Sequence, residues 1–578
     1  LSLSVTNIFE ALDQKEIIKK LKLIIKLMEL HDENSFKIRS YQSAVNTLER
    51  GEDIQIVGKS IAELQEIGGI GKSIAEVIFS LGDAGTHTYL EELLQKTPSG
   101  ILEVLEVKGL GPKKVKVLWE EMNITSTHEL MEACQSGQVA KIKGFGEKTQ
   151  ESIIQVLEFK AANQGKWLYA DIEGAVSDLL DNLAKLNSIN DIVTVGEYAR
   201  KLEIITEVEF LIATDDRKGA FEALAKIQGL AFNEKKSSPF KWRGKLIDPE
   251  LSLIIHLTSK DDYVKEKILR TGSKAHLLYP MEGNVPFVDV LKTGDFQSEQ
   301  EVYQAVGLSW IPEELREGFF EFDWAKEAQS LLEEKDLKGI LHNHSTYSDG
   351  KHTLRQMAEY CKELGYEYLG ISDHSRTASY AGGLDIDKVA KQHREIDELN
   401  KELAPFKIFK GIESDILTDG SLDYPDEVLA SFDFIVSSIH SGLSMDRKKA
   451  TARLLKAIEN PYTTILGHPT GRLLLRREGY PIDHQAIIDA CATHQVVIEI
   501  NANPWRLDLD WRWVHYALEK GVKLSINPDA HAMEGYADMR YGVLVGRKGG
   551  LTADMTFNAL SLDEITKYFN ERKSKSRK

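Results

Sequence analysis

Nine side chains able to bind a metal stand at or just past the ends of apolar runs in the C-terminal part of the chain: His342, His344, Asp349, His374, Glu413, His440, His468, Asp529 and His531. The runs Lys338–His342, Glu367–Ser372, Lys407–Ile412, Phe434–Ile439, Thr463–Leu466, Val496–Ile500 and Lys523–Ile526 read as seven strands, and six of the seven deliver His, Asp or Glu at the C-terminal end. Residues i and i+2 of a strand face one side, so His342 converges with His344, and Asp529 with His531. Strand C-termini are where closed parallel barrels assemble active sites. A lone histidine is ordinarily a core or surface residue; the same address on strand after strand is a site. Imidazole mixed with carboxylate suits Zn²⁺, Mn²⁺ or Fe²⁺, whereas an all-oxygen shell suits Mg²⁺. Such cations neutralise phosphate oxygens and supply hydroxide at neutral pH, so the expected chemistry is phosphoester hydrolysis. Arg376, Arg472 and Arg540 follow ligand-bearing segments and are candidate phosphate clamps. His352, His393, His484, His494 and His515 lie off the strand ends and read as structural or solvated.

These strands alternate with helical patterns, which predicts an α/β domain over residues 337–578. At roughly 150 residues per domain, a chain of 578 residues holds about four. Residues 1–95 and 96–164 read as two helical domains, with Ile17, Ile18, Leu21, Ile24, Ile25 and Met28 at helical spacing inside an expected helical stretch from Asn7 to Leu48. Strand-like runs at Asp191–Val195, Thr206–Thr214 and Leu251–Thr258 mark a sheet domain over 165–260. A mixed segment over 261–322 and a charged helical linker over 323–336 follow, and the basic tail Arg572–Lys578 reads as a frayed, solvated end. With 42% hydrophobic and 28% charged residues, wholesale disorder is excluded. Cys134, Cys361 and Cys491 are far apart, which predicts no disulfide framework and a reducing compartment. No apolar run approaches the roughly 18 residues of a membrane span, and Leu1–Asn7 lacks the pattern of a secretory signal. A soluble, cytoplasmic protein without membrane contact is expected.

The net charge of −18 excludes holding nucleic acid by bulk attraction. Three local devices avoid that limit. Gly69-Ile70-Gly71, Gly109-Leu110-Gly111 and Gly144-Phe145-Gly146 each follow an apolar helix end and precede a new helix beginning near Lys72, Lys113 or Lys148. Two glycines around one apolar anchor give a tight turn that aims backbone N–H groups outward at a helix N-terminus, an anion site that needs no net positive charge. A Walker A loop is excluded, since Glu66 stands where its first glycine belongs, and Ile74, Lys114 and Thr149 deny each copy the last glycine of G-x-G-x-x-G. The repeats resemble the helix-hairpin-helix motif, which implies a sequence-independent grip on DNA phosphates, at gaps or 3' ends.

The segment Val195-Gly196-Glu197-Tyr198-Ala199-Arg200, continued to Glu207-Val208-Glu209, resembles the nucleotidyltransferase signature of family X DNA polymerases, in which a Gly-Ser turn and paired arginines precede an Asp-x-Asp strand. Thr271–His276 is similar to that family's thumb loop, and Glu301–Gly318 to the linker of its bacterial members. Nucleotidyl transfer needs three carboxylates around two Mg²⁺ ions about 4 Å apart. Here Glu207 and Glu209 replace the aspartates, Ile254 takes the third position by strand placement, Glu197 the serine and Ala199 the first arginine. Mg²⁺ tolerates displaced oxygens poorly, so a lost or severely weakened polymerase is expected. The Schiff-base lysine of the family's lyase members corresponds to Val77.

The last domain resembles the PHP (polymerase and histidinol phosphatase) domain, a distorted seven-stranded barrel with three metals, and all nine motif positions are filled. The resemblance places His342, His344, Glu413 and Asp529 around one metal; Glu413, His440 and His468 around the second; Asp349, His374 and His531 around the third, with Zn or Mn expected and Fe an alternative. The implied fold is multidomain: helical hairpin domains, an α+β palm and thumb, and an α/β barrel. The implied function is a metal-dependent 3'-5' exonuclease of DNA repair, nucleoid-associated, with 3'-phosphatase or abasic-site cleavage as related activities. A small-molecule phosphomonoesterase like histidinol phosphatase, an active family X polymerase and a non-catalytic DNA-binding adaptor stay open as alternatives.

Overall fold

The computed structural model describes residues 14–50, 54–327 and 329–576; the start of the predicted first helix, residues 7–13, and Arg577 and Lys578 of the tail lie outside the described residues. The chain divides into two compact units, Leu1–Gln164 and Gly165–Lys578.

In the first unit Ile17, Leu21, Ile24 and Met28 recur every three to four residues along α1 (Gln14–Leu30) and are fully buried, with α2 (Ser35–Arg50) packed alongside. One core runs from Ile17 to Leu157, so the two predicted helical domains share an interior. Helices α3 (Lys72–Ala84), α4 (Pro112–Met122) and α5 (Glu147–Asn163) each begin directly after a glycine turn.

The second unit opens with a five-stranded sheet. Strands β1 (Asp191–Val195), β2 (Val208–Ala213), β3 (Leu230–Phe232), β4 (Lys241–Leu246) and β5 (Leu251–Thr258) run in the order β1-β2-β5-β4-β3, with β2 and β5 parallel. The edge strand β3 and its neighbour β4 escaped prediction because Lys241, Arg243 and Lys245 leave β4 with little apolar alternation beyond buried Trp242.

Eight strands follow where seven were expected: β6 (Gly339–Ile340), β7 (Tyr368–Ile371), β8 (Lys407–Lys410), β9 (Glu413–Asp415), β10 (Val436–Ser438), β11 (Ile465–Leu466), β12 (Val497–Asn501) and β13 (Leu524–Asn527). The predicted strand Lys407–Ile412 stops at Lys410, and Glu413 opens a strand that pairs with β10 instead of β7. Gly411 marks the change of partner: a Cβ there would meet the Phe434 ring at 2.3 Å and the Ile371 carbonyl at 2.5 Å. The strands form two parallel sheets, β8-β7-β6 and β9-β10-β11-β12-β13. Parallel bridges His374↔Glu413 and Asn343↔Ala530 stitch the sheets at both seams. Along β12, Ile498 and Ile500 join the large core with the helices, while Val497 joins Tyr368, Phe409, Val436 and Ile465 in a cluster drawn from both sheets. Period 2 therefore puts Glu499 on the face of Val497.

Ion pairs tie this strand layer to the preceding sheet and its thumb-like neighbour. Glu203 accepts from Arg512 at 2.9 Å and from the Trp511 indole at 3.1 Å. Fully buried Lys548 donates to the Arg200 carbonyl at 2.9 Å and the Glu317 carboxylate at 2.5 Å. Through Ser576 the tail is not frayed: Leu562–Ser576 is helical, and Arg572 donates to the Gln495 carbonyl at 2.8 Å. All three cysteines are buried and unpaired. Among the described residues no helix is long and apolar enough to cross a membrane.

Candidate metal centre

The nine predicted ligands meet in one cup centred on Glu413. Its Oε1 lies 3.3 Å from His342 Nε2 and 3.1 Å from both His440 Nε2 and His468 Nε2. Its Oε2 lies 2.9 Å from His374 Nδ1 and 3.8 Å from His344 Nε2. Asp529 Oδ1 stands 3.1 Å from His344 Nε2, and Asp349 Oδ1 3.7 Å from His374 Nε2 and 3.5 Å from His531 Nε2. Three sets place their ligand atoms within 4.8 Å of one another: His344, Asp349, His374 and His531; His342, His344 and Asp529; His374, Glu413 and His440. The grouping differs in part from the one expected, because His344 and His374 each belong to two sets and His468 reaches only the Glu413 carboxylate.

The donors fit a cation cluster. His342 Nδ1 donates to Glu499 at 2.6 Å, His440 Nδ1 to Asp415 at 2.5 Å, and His531 Nδ1 to the Asp529 carbonyl at 3.0 Å. Each of these bonds fixes a tautomer and turns Nε2 toward the cup, the arrangement typical of metal-ligating histidines. His342 Nε2, His344 Nδ1, His374 Nδ1, His468 Nδ1 and Glu413 Oε2 are buried without a hydrogen bond. A buried polar atom left unsatisfied costs about 1–3 kcal/mol, so several together mark a place meant for another partner. Burial disfavours charge on Glu413, yet His440, His342 and His374 hold it well below the carboxylate range. Burial also opposes charge on His440, but Glu413 and Asp415 push it up to about 10; burial, helped by His531 and His374, takes His344 down to about 3. Asp529 has φ 52°, a left-handed backbone that a non-glycine residue holds only where its surroundings demand it.

Sequence reasoning missed the residues behind the ligands. Glu499 is fully buried and accepts from His342, from the His468 backbone N–H at 2.8 Å and from Asn527 at 3.2 Å. It sits on the one strand that offered no ligand, and an acid in the apolar run Val496–Asn501 was itself the signal. Asp373 is likewise buried and accepts from Ser345, Ser348 and Gln392. Arg506 was also missed; its Nε lies 3.2 Å from Asp529 Oδ2, and among the described residues its terminal nitrogens make no hydrogen bond to protein.

The three hairpins of the first unit repeat in detail. Gly69, Gly109 and Gly144 have φ of 88°, 91° and 93°, and the N–H groups of Ile70, Leu110 and Phe145 each donate to the carbonyl three residues earlier. Gly71, Gly111 and Gly146 are the N-caps of α3, α4 and α5, none with a side-chain cap. Lys72, Lys113 and Lys148 are exposed in the first turns, where a cation opposes the helix dipole. At Gly71 and Gly111 φ is an ordinary −80° and −77°, and a Cβ would meet nothing within 4 Å. Among the described residues no side chain or backbone crowds these two positions; an external group drawing close to the backbone would need glycine there. Gly71→Ala and Gly111→Ala are therefore expected to cost only the N-cap preference for glycine over alanine, about 1 kcal/mol each, while weakening DNA binding, measured by anisotropy with a labelled duplex. Unaltered binding by the double variant would count against these turns as phosphate sites.

Family models match in three places: a helix-hairpin-helix domain over residues 13–86, a SAM-like helix-hairpin-helix tandem over 101–158 and a PHP domain over 341–503. Over 570 residues the chain is 34% identical to the DNA polymerase/3'-5' exonuclease PolX of Bacillus subtilis (strain 168), covering 96% of this chain and 98% of that protein. The chain belongs to the PolX family. Shorter matches reach probable phosphatases: one of Thermoanaerobacter sp. (strain X514) is 25% identical over 41% of this chain and 98% of its own, and one of Clostridium acetobutylicum 28% identical over 33% and 78%.

In this PolX chain the acids expected at the palm position lie among protein groups. Glu209 Oε2 lies 2.7 Å from His256 Nε2, and Ile254, the parallel partner of Glu209 across β2 and β5, is buried. Glu197 accepts from the Thr206 N–H at 2.9 Å and hydroxyl at 2.8 Å. Arg200 is taken up by Glu317 at 3.0 Å and the Thr271 carbonyl at 2.8 Å. Burial and the neighbouring Glu209 raise the Glu207 carboxyl above its ordinary value.

Two of the three candidate arginine clamps of this PolX chain are held by protein partners. Arg540 pairs with Glu173 at 2.8 Å and donates to the Tyr541 hydroxyl at 2.6 Å. Arg472 is engaged by Asp510 and the Leu507 carbonyl and donates to the Arg506 carbonyl at 2.8 Å, so it fixes the loop that carries Arg506. Arg376 donates to the Asp423 carbonyl at 3.2 Å and is otherwise half exposed.

Proposed function

We propose that this protein is a metal-dependent phosphodiesterase that removes nucleotides from DNA 3' ends, with a palm that no longer polymerises. The convergence of nine histidines and acids on Glu413 carries the reading. Those nine residues would hold two or three divalent ions, Zn or Mn by their mixed imidazole–carboxylate chemistry. Bound there, the ions supply charge neutralisation and a nucleophilic hydroxide at neutral pH. The protein's own groups prepare the site. Glu499 and Asp415 keep His342 and His440 turned inward, and Asp373 fixes the Ser345–Ser348 turn that precedes Asp349. Arg506 offers the guanidinium best placed to grip a phosphate, its carbonyl anchored by Arg472. The hairpins supply sequence-independent DNA affinity, and the exonuclease reading is supported by the Bacillus relative, a DNA polymerase/3'-5' exonuclease by name.

In the palm, the Glu209–His256 pair and buried Ile254 offer no three-carboxylate geometry for paired Mg²⁺ ions. A 5'-labelled primer on a template, incubated with Mn²⁺ and all four deoxynucleoside triphosphates, is expected to shorten stepwise and never lengthen. Extension would overturn the reading of the palm; an unchanged primer would overturn the exonuclease.

A further inference from the structure

We propose that the Tyr380 ring is the platform on which the terminal nucleobase stacks while its phosphodiester enters the cup. The proposal rests on the exonuclease reading and names how that substrate is held. Tyr380 is 72% exposed, yet its ring centroid lies 6.3 Å from that of His374, a candidate ligand. An exposed aromatic side chain is common on mobile loops, but this loop is tied down on both sides of the tyrosine.

The Leu384 N–H donates to the His374 carbonyl at 2.9 Å, and the Gly383 N–H to the Ala378 carbonyl at 3.1 Å. The Thr377 N–H reaches Asp423 at 2.6 Å, and its hydroxyl reaches Asp415 at 2.7 Å, the same carboxylate that orients His440. A Cβ at Gly383 would stand 2.0 Å from the Ser375 carbonyl, so the return of the loop admits no side chain. Ala378 and Ala381 are buried on either side. The loop is thus rigid where it meets the ligands, and besides half-exposed Arg376 the large side chain it leaves in water is an aromatic ring at the edge of the cup.

Two further observations fit a base. A tyrosine phenol carries no charge at neutral pH, so the ring does not repel a phosphate. Stacking on an aromatic face tolerates any base, which matches the sequence-independent grip of the hairpins. A small phosphomonoester offers no base to this ring, so Tyr380 would favour a nucleotide end over such a substrate.

The test uses the full chain and two 5'-labelled oligonucleotides that differ only in the terminal 3' residue, thymidine in one and an abasic sugar in the other. Tyr380→Ala is expected to lower kcat/KM on the thymidine end by roughly 5- to 100-fold, the span of one base–aromatic stack. It should leave the abasic end unchanged, while Tyr380→Phe stays close to the unaltered protein on both. Removing the base should by itself cost the unaltered protein the same factor, with no further loss in Tyr380→Ala. Equal losses on both ends, or none on either, would overturn the stacking role. Failure of the unaltered protein to cleave either oligonucleotide would overturn the exonuclease reading, and the proposal with it.

Discussion

Glu413→Gln is expected to reduce hydrolysis at DNA 3' ends by about a thousandfold. The substitution keeps the size of the side chain and removes the one negative charge that faces His342, His374, His440, His468 and His344. Removing one group that stabilises transition-state charge costs about 2.7–4 kcal/mol, a factor of about 100 to 1000 in rate. The amide also places a donor N–H₂ where imidazole nitrogens and cations need an acceptor. Metal content, measured by plasma emission, should fall together with the rate. DNA affinity should not change, because the hairpin glycines and lysines belong to the other compact unit. Activity within about tenfold of the unaltered protein would mean that Glu413 is a structural acid inside a histidine cluster.

Removal of metal is the second large effect. Dialysis against a chelator is expected to bring hydrolysis below detection, a loss of at least about a thousandfold, and added Mn²⁺ or Zn²⁺ to restore it. Stability should move in the same direction. An ion that binds only the folded chain stabilises it by about 4 kcal/mol at a thousand times its Kd, so stripping it lowers Tm by some degrees. The five buried atoms at His342, His344, His374, His468 and Glu413 make no hydrogen bond within the protein, so bound ions would add contacts that the fold alone does not give them. Calorimetry of stripped and reloaded protein measures this. Full activity and unchanged Tm after chelation would exclude a metal role in both function and folding.

Much of this site was legible in the sequence because His, Asp and Glu recur where apolar runs end; the i, i+2 argument carried less, since β6 ends at Ile340, β13 ends at Asn527 and Asp529 has a left-handed φ of 52°. Asp415 was not legible, since only the assembled sheets bury its run, and Glu499 showed only as an acid within an apolar run. The splitting of Lys407–Ile412 was hidden as well. Nothing local in that run marks the change of partner at Gly411, which comes from the ring of Phe434 twenty-odd residues downstream. The arginines show the same limit in reverse. Their types and spacing pointed to phosphate, but Glu173 and Asp510 claim Arg540 and Arg472 through contacts remote in sequence. Arg506 follows Asn-Pro-Trp with no motif around it, and only the fold brings it to Asp529. The hairpins were readable to the residue, because a turn that needs φ near 90° at Gly69, Gly109 and Gly144 writes itself as glycine.

The most direct measurement is anomalous scattering from crystals of the full chain grown with Mn²⁺ or Zn²⁺, collected on either side of the metal edge. Two or three anomalous peaks should appear inside the cup, with Glu413 and the surrounding imidazole nitrogens at coordination distances of about 2.0–2.2 Å. A cup free of anomalous density under saturating metal would contradict the hydrolytic centre and leave a protein that only grips DNA.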